Sequence, residues 1–398
     1  MPGPDEDQLN ASLSCPLASI CSGCDRLHLN RAGLEADRVR ALRALGFTDV
    51  PIDFAWIQAG KLRDRLEFSL EPTVDAHDAD RFGLFDKERT QIVDIENCPQ
   101  LSTPLQTWLR KFREDLPRVP ARRTVRLRVA PDGTRGVWLD FANEDIRDLL
   151  DEEKWLSRQL EKAIVVEVGQ RRKRVVLSSE GPRAHRLADA TLDAWFTTPL
   201  KEKDASLFGT IGTFTQPGFE AQKTLVRVML NHANLNGDRD ASQRHIAEFG
   251  AGIGAFTLPL LATGARVDVF ESDRLALAAL EKGVAMADLD AANLKIHAGD
   301  FILSARHAEA ALEAEPNTIY DLVVVDPPRP GLGKFIDAIA SRAREADWVY
   351  ISCYPESFAK DAAKLAEKGL VLERITIVEQ FPFTRHFEIV ASFRRATK

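Results

Sequence analysis

No apolar run in this chain of 398 residues is long enough to span a bilayer; stretches such as "DLVVVDPP" and "VVEV" are the size of strands. The opening segment "MPGPDEDQLN" is acidic and has neither the basic start nor the apolar core of a signal peptide. A cytoplasmic protein without a membrane partner is therefore expected. Cysteine is scarce: there are five, with Cys15, Cys21, Cys24 and Cys98 in the first hundred residues and Cys353 alone near the other end. In a reducing compartment such a set points to metal ligands or a nucleophile rather than to disulfides. Internal repeats and low-complexity tracts are missing, which excludes repeat architectures. An excess of positive charge is missing too. The formal net charge of -7 argues by itself against a nucleic-acid partner, although distribution matters more than the total.

What is present is the composition of an ordinary globular protein, 44% hydrophobic and 28% charged, at a length that favours two domains over one core. Residues 110–128, "RKFREDLPRVPARRTVRLR", hold eight Arg/Lys against two acids, and "QRRKR" at 170–174 adds four more. Both runs flank apolar alternation. They line either one basic face of a sheet or a solvated strand edge, where charge blocks aggregation. Residues 1–205 mix the cysteines with Arg-rich alternating segments and short helical stretches, and "APDGTRG" between two alternating runs reads as a hairpin turn. This half reads as α+β with an antiparallel sheet. In residues 206–398 apolar strands alternate with helical patterns, starting from "HIAEFGAG" and ending with "LERITIVEQF" and "HFEIVASFRR". That alternation predicts an α/β domain with a mostly parallel sheet of seven strands, the last two an antiparallel pair at one edge. "FEAQKTLVRVMLNHANL" reads as an amphipathic helix leading into it, and Gly369 as a helix stop.

"AEFGAGIGAFTLPLL" is a strand, then Gly250, Gly252 and Gly254, then a helix. Glycines there let the backbone turn tightly and approach a ligand closely. One helix later "VDVFES" ends in Glu271, placed to accept hydrogen bonds from both hydroxyls of an adenosine-type ribose. The spacing suits NAD and S-adenosylmethionine alike. Glu248 favours the second, because an acid beside the turn faces a cationic amino acid well and repels a pyrophosphate. "VVVDPPRPG" puts Asp326 at the carboxyl end of the fourth strand, where ligands of open α/β sheets bind. The four N-terminal cysteines, at intervals of five and two residues with Cys98 distant, suit a tetrahedral zinc or a 4Fe–4S cluster.

Taken in order, "CPLASICSGC", "ENCPQ", "FTQPGF", "AEFGAGIGAFTLPL", "VVVDPPRPGL", "YISCYPESFAKD" and "FPFTRHFEIV" resemble the RNA (uracil-5-)-methyltransferase family. That family uses S-adenosylmethionine to make 5-methyluridine in ribosomal and transfer RNA. The resemblance implies a class I, Rossmann-like methyltransferase domain behind an N-terminal iron–sulfur and RNA-binding region. The cysteine set is similar to the 23S ribosomal branch, whose members carry a 4Fe–4S cluster on residues corresponding to Cys15, Cys21, Cys24 and Cys98. No TRAM-type barrel is expected before Cys15, as in the shorter members of that branch. The partner implied is RNA, a ribosomal stem-loop with a flipped uridine, and not DNA; nothing demands more than a monomer.

The chemistry explains the isolated cysteine. C5 of uracil is a poor nucleophile until a thiolate adds to C6; a proton must later leave C5, and elimination frees the thiol. Cys353, at the end of the fifth strand, is the thiol, and by the resemblance Glu388 in "RHFEIV" is the base. The resemblance also assigns Gln216 and Asp326 to the uracil edge, and Arg329 and His386 to loop support or phosphate. Cofactor contacts are expected from Gln216, Glu248, Gly250, Gly252, Gly254, Glu271, Asp300 and Asp326. Phe214, Phe219 and Phe383 are candidates for stacking on the base. Four positions depart from the family: Glu248 for Asp, Ala251 for Cys, Gly218 for Asn and Gln380 for Asp. The competing readings are a transfer-RNA enzyme of the same chemistry, a non-catalytic RNA-binding factor on this scaffold, and a NAD-dependent oxidoreductase. The last leaves Cys353 and the N-terminal cysteines unexplained.

Overall fold

Helix α1 (Arg31–Ala44) and strand β1 (Ile52–Trp56) lie far in sequence from the C-terminal α/β region, yet they fold with it. The computed structural model describes residues 14–57, 62–73, 80–140, 146–169, 172–179, 183–236, 241–299 and 319–395. Contacts group residues 1–28, 58–196 and 208–219 into one unit and 29–57, 197–207 and 220–398 into a second. These units differ from a single boundary at 205/206 in three segments, 29–57, 197–205 and 208–219. Residues 29–57 leave the N-terminal half because β1 pairs in parallel with strand Leu370–Glu379 and Arg38 forms a buried ion pair with Glu379. Residues 208–219 leave the C-terminal half because their backbone is held by Asp64 and by arginines of the first unit.

The first unit is built on a sheet of eight strands, β2 (Arg65–Glu71), β3 (Arg81–Phe85), β4 (Ile92–Asp94), β5 (Arg123–Val129), β6 (Arg135–Leu139), β7 (Val165–Val168), β8 (Lys173–Leu177) and β9 (His185–Asp189). Their order is 4-3-2-5-6-7-8-9. The sheet is antiparallel as expected except for β6 and β7, which run parallel and are joined through α3 (Glu153–Glu161). The "APDGTRG" turn joins β5 to β6, with Gly133 at φ +87. Helix α2 (Thr103–Arg113) starts where the Ser102 side chain accepts from Leu105 N–H. It buries Leu105, Trp108, Leu109 and Phe112, an i, i+3, i+4, i+7 stripe that packs in the same core as Val125 and Leu127.

The edge reading of the basic runs does not hold: β5 and β8 are interior strands. Several charges of the two runs are paired within the unit, Arg113 with Asp94, Arg122 with Glu71, Lys173 with Asp189 and Arg174 with Asp193. On β5 itself Arg126 pairs with Glu67, whereas Arg128 donates to the Thr213 carbonyl and Thr215 Oγ1. Residues 170–171 of the second run lie outside the described residues. Strands β10 (Asp193–Pro199) and β11 (Asp204–Gly209) form a separate two-stranded pair.

In the second unit α4 (Phe219–His232) precedes β12 (His245–Phe249), α5 (Thr257–Leu261), β13 (Arg266–Glu271), α6 (Arg274–Met286) and β14 (Leu294–Ala298). β15 (Leu322–Val325), α7 (Phe335–Arg342), β16 (Asp347–Ser352), α8 (Pro355–Glu367), β17 (Leu370–Glu379) and β18 (Glu388–Arg395) follow. Every strand expected here is present, and Gly369, at φ +79, stops α8. The strand order is 1-17-18-16-15-12-13-14, so the sheet has eight strands rather than seven. β17 and β18 are antiparallel to each other but are not the edge: β18 lies between β16 and β17, and β1 covers β17. Central strands such as β15 are buried on both faces, which is why "LVVV" reads as an unbroken apolar run. Among the described residues no helix is long and apolar enough to cross a membrane.

Candidate active site

The turn after β12 is held open by backbone geometry. Gly250, Gly252 and Gly254 have φ of +80, +55 and +89, values that side-chain-bearing residues rarely adopt. A Cβ on Gly250 would also lie 3.1 Å from the Asp326 carbonyl oxygen. Gly252 N–H donates to Glu271 Oε2 at 2.9 Å, and Glu271 Oε1 accepts from Ser272 and Asp273 N–H at 2.7 and 2.8 Å. The second-strand acid is thereby fixed beside the glycine turn, as expected. A cleft lined by Phe249, Gly250, Glu271, Ser272, Gly299 and Pro327 opens at these strand ends. Ala251, where the family has Cys, is buried. Asp300 lies outside the described residues.

Glu248 is 2% exposed; its Oε2 accepts from Thr257 Oγ1 at 2.7 Å, and its Oε1 has no hydrogen-bond partner among the described residues. Burial pushes its pKa up to about 8, helped by the charges of Asp326 and Glu271. An orphaned buried carboxylate oxygen next to a glycine turn fits a cationic ligand head such as the amino group of S-adenosylmethionine. A consequence is measurable. Because the folded pKa is raised, Glu248 contributes stability below its ordinary value near 4.5, and that contribution is lost as pH rises through about 8. A cation binds the ionised form, so affinity for S-adenosylmethionine should rise by roughly tenfold or more from pH 6 to pH 8. Calorimetry in two buffers would show proton release, and Glu248→Gln should flatten the curve. A pH-independent affinity in the wild type would remove Glu248 from the site.

Cys353 follows β16 directly, and Tyr354–Pro355 turn the chain into α8. The register Ser352↔Ile389 brings the start of β18 beside it, so Glu388 and Cys353 share the carboxyl end of the parallel strands with Asp326 after β15. Burial raises the Cys353 thiol to about 11, with Glu388 and Asp326 adding to the rise and Arg329 opposing it. Asp326 is pushed by desolvation up to about 7. Glu388, 3% exposed, is raised well above the usual carboxylate range, first by burial and then by Asp326. Gln380 Nε2 donates to Glu388 Oε2 at 2.6 Å and is the main opposing influence. Residue 380 was legible only as a departure from the family; its bond to the acid is what the sequence did not signal. Asp361 of α8 anchors the loop after Asp326: it accepts from Leu332 N–H (2.6 Å), Gly333 N–H (3.0 Å) and Tyr350 Oη (2.6 Å). Arg329 and His386 are exposed. Of the three aromatic candidates, Phe383 is buried at 2% exposure and Phe219 packs on Phe196, whereas Phe214 is 75% exposed.

Gln216 belongs to the first unit and is 8% exposed. Its loop is gripped by side chains of β2 and β5. Arg65 Nη2 donates to the Thr215 carbonyl (2.6 Å), and Arg128 Nη2 donates to the Thr213 carbonyl and Thr215 Oγ1 (3.0 Å each). Asp64 Oδ2 accepts the Phe219 N–H at 2.8 Å and so holds the end of that loop. Gly218 is explained by the same packing: a Cβ there would meet the Leu62 carbonyl oxygen at 2.4 Å. Restoring the family residue should therefore harm. Gly218→Asn is expected to cost about 1–3 kcal/mol in urea unfolding; unchanged stability would mean that Leu62 can shift.

The four N-terminal cysteines converge, lining with Arg63, Leu17 and Leu84 a cavity of about 160 Å³. Gly23 N–H donates to Cys21 Sγ at 3.3 Å and Gln100 Nε2 to Cys24 Sγ at 3.4 Å. Burial pushes the Cys21 and Cys24 thiols up and the Cys98 thiol to about 12. Among the described residues no three His, Cys, Asp or Glu are arranged around a single metal ion.

A glycine turn, an orphaned acid beside it and a second acid at the end of the next strand suit a methyltransferase of the S-adenosylmethionine-dependent class. Residues 197–395 match the family described as tRNA (Uracil-5-)-methyltransferase. An RNA methyltransferase of Bdellovibrio bacteriovorus is 35% identical over 96% of this chain and 96% of its own length. The 23S rRNA (uracil(1939)-C(5))-methyltransferase RlmD of Alteromonas mediterranea is 26% identical over 98% of this chain and 76% of its own. The solved tRNA (uracil-54, C5)-methyltransferase of Pyrococcus abyssi, in complex with S-adenosyl-L-homocysteine, shares the fold at a TM-score of 0.64, with 21% identity over 96% of this chain and 87% of that one. The chain belongs to the RNA (uracil-5-)-methyltransferase family and is an enzyme that uses S-adenosylmethionine.

Proposed function

We propose that the protein methylates C5 of a specific uridine in 23S ribosomal RNA, giving 5-methyluridine. The observation that carries the mechanism is the grouping of Cys353, Asp326, Glu388 and Arg329 at one end of the sheet. Cys353 adds as thiolate to C6 of the uracil, and the C5=C6 electron pair moves toward C4–O4. S-adenosylmethionine supplies the methyl group that C5 takes. Glu388 then removes the C5 proton, the C5=C6 bond reforms, and the C6–S bond breaks with its electron pair returning to Cys353. Arg329 favours the thiolate, and Gln380 keeps Glu388 oriented and favours its ionised form. By the resemblance Asp326 and Gln216 take the uracil edge and Arg329 and His386 support the loop or touch phosphate; exposed Phe214 offers a stacking face.

The four N-terminal cysteines are assigned to a 4Fe–4S cluster. Their shared cavity and the two N–H donors aimed at sulfur suit a cluster rather than a single ion. The reaction transfers no electron, so the role assigned is structural. Arg63 of the cavity wall precedes Asp64 and Arg65, which bond the Gln216 loop. Iron and sulfide analysis of anaerobically purified protein tests the cluster, and one zinc per chain in their place would overturn it.

The substrate is tested by methyl transfer to unmodified total RNA separated by size, with nucleosides analysed by mass spectrometry. 5-Methyluridine in the large ribosomal RNA supports the reading. Product confined to transfer RNA would move the activity to the substrate that the matched family's description names.

A further inference from the structure

The buried face of α1 consists of Leu34, Arg38 and Leu42, so an arginine occupies a core position between two leucines. Its guanidinium is 1% exposed, and among the described residues its hydrogen bonds and ring contact beyond its own helix go to the end of β17 and the segment between β17 and β18. Nε donates to Glu379 Oε1 at 2.7 Å, and Nη2 to Glu379 Oε2 at 3.4 Å and to the Thr384 carbonyl at 2.6 Å. The guanidinium also lies over the Phe387 ring, 5.0 Å from its centroid. Glu379 immediately precedes Gln380, and Phe387 immediately precedes Glu388. One side chain thus grips both flanks of the Gln380–Glu388 hydrogen bond and the loop between them.

We propose that Arg38 is a positioning residue for proton removal, holding Gln380 and Glu388 in the alignment that lets Glu388 reach the C5 proton. The proposal rests on the reading of Glu388 as the base. Stability alone does not account for the pair. Burying a guanidinium and a carboxylate costs desolvation that their attraction roughly offsets, and apolar residues of similar volume commonly replace such pairs without loss. The placement of this pair around the active acid points instead to geometry at that acid.

The chemistry separates this role from general support. If Cys353 attack and methylation proceed but the C5 proton stays, the C6–S bond cannot break, and the protein remains covalently attached to methylated RNA. The test compares Arg38→Lys, the double variant Arg38→Met/Glu379→Leu, and Glu388→Gln in full-length protein. The readouts are kcat, KM for ribosomal RNA, S-adenosylmethionine affinity and the fraction of denaturation-resistant protein–RNA adduct. The double variant leaves no unpaired buried charge and is expected to fold. It should lower kcat about 10–100-fold, keep KM and cofactor affinity within about threefold, and accumulate adduct as Glu388→Gln does. Arg38→Lys should recover part of kcat, because an ammonium reaches fewer of the three acceptors. Unchanged turnover in the double variant overturns the proposal. So does a joint fall of kcat, RNA affinity and cofactor affinity without adduct, which marks loosening of the unit. If Glu388→Gln itself keeps its turnover and builds no adduct, the base assignment fails and this role falls with it. If only Glu388→Gln builds adduct, the base stands and Arg38 has no part in placing it.

Discussion

Cys353→Ala should reduce methyl transfer by about ten-thousand-fold or more, while S-adenosylmethionine affinity stays within about twofold of wild type. The size follows from the role. Without a thiolate on C6, C5 carries too little electron density to attack a methyl sulfonium, and no other described cysteine lies in this unit to substitute. The cofactor cleft is built from β12, β13 and the Asp326 loop, none of which the substitution touches. A second readout uses RNA bearing 5-fluorouridine, whose C5 fluorine cannot leave as a proton does. Wild type should form a denaturation-resistant complex with it, and the variant none. The thiol sits near 11 because burial and two neighbouring acids disfavour its charge. Below that value thiolate rises about tenfold per pH unit, so wild-type kcat/KM should climb steadily from pH 7 to 9. Product formation by Cys353→Ala within tenfold of wild type would end the covalent mechanism.

How far the sequence carried depended on the range of the interaction concerned. The seven strands of residues 206–398 were legible because each is a short apolar run bounded by glycine, proline or a helical pattern, and those signals are local. β1 was not, since "IDFAW" becomes a sheet strand only through pairing with Ile375–Glu379 at the far end of the chain. The partners of the basic runs were out of reach for the same reason: the acids that pair with Arg113 and Arg122, Asp94 and Glu71, come from neighbouring strands and not from neighbouring positions. Gly218 was legible only as a departure from the family; the close approach of the Leu62 carbonyl, which leaves no room for a side chain, was not. Arg38 did carry a signal, an arginine between Leu34 and Leu42 on the apolar face of a helix. What it grips was out of reach of pattern, because Glu379 lies on another element. The proposed site residues were easier to place than their supports. Cys353 and Asp326 stand at strand ends, where the α/β architecture itself puts ligands.

Glu388→Gln should lower turnover by about 10²–10⁴-fold, the range associated with a positioned general base, and should do so after methylation rather than before it. Cys353 and the cofactor cleft remain, so attack and methyl transfer proceed and adduct accumulates. The same substitution has an opposite effect on stability. Glu388 is 3% exposed, with its pKa held well above the ordinary 4.5 by burial and by Asp326. A carboxyl raised on folding contributes stability below its unfolded pKa and loses that contribution as pH climbs through its folded value. Glutamine carries no such charge. The variant should therefore be more stable than wild type at pH 8, with the difference shrinking as pH falls toward 4.5, in urea unfolding at the two extremes. Gln380 offsets part of this gain, since its Nε2 bonds an ionised Glu388 more strongly than it bonds the amide oxygen of a glutamine. A less active yet more stable variant is what a buried base requires, because the environment that makes Glu388 a stronger proton acceptor also makes its charge costly to keep. Turnover within tenfold of wild type together with no gain in stability at high pH would assign Glu388 to the fold and leave the C5 proton to another group.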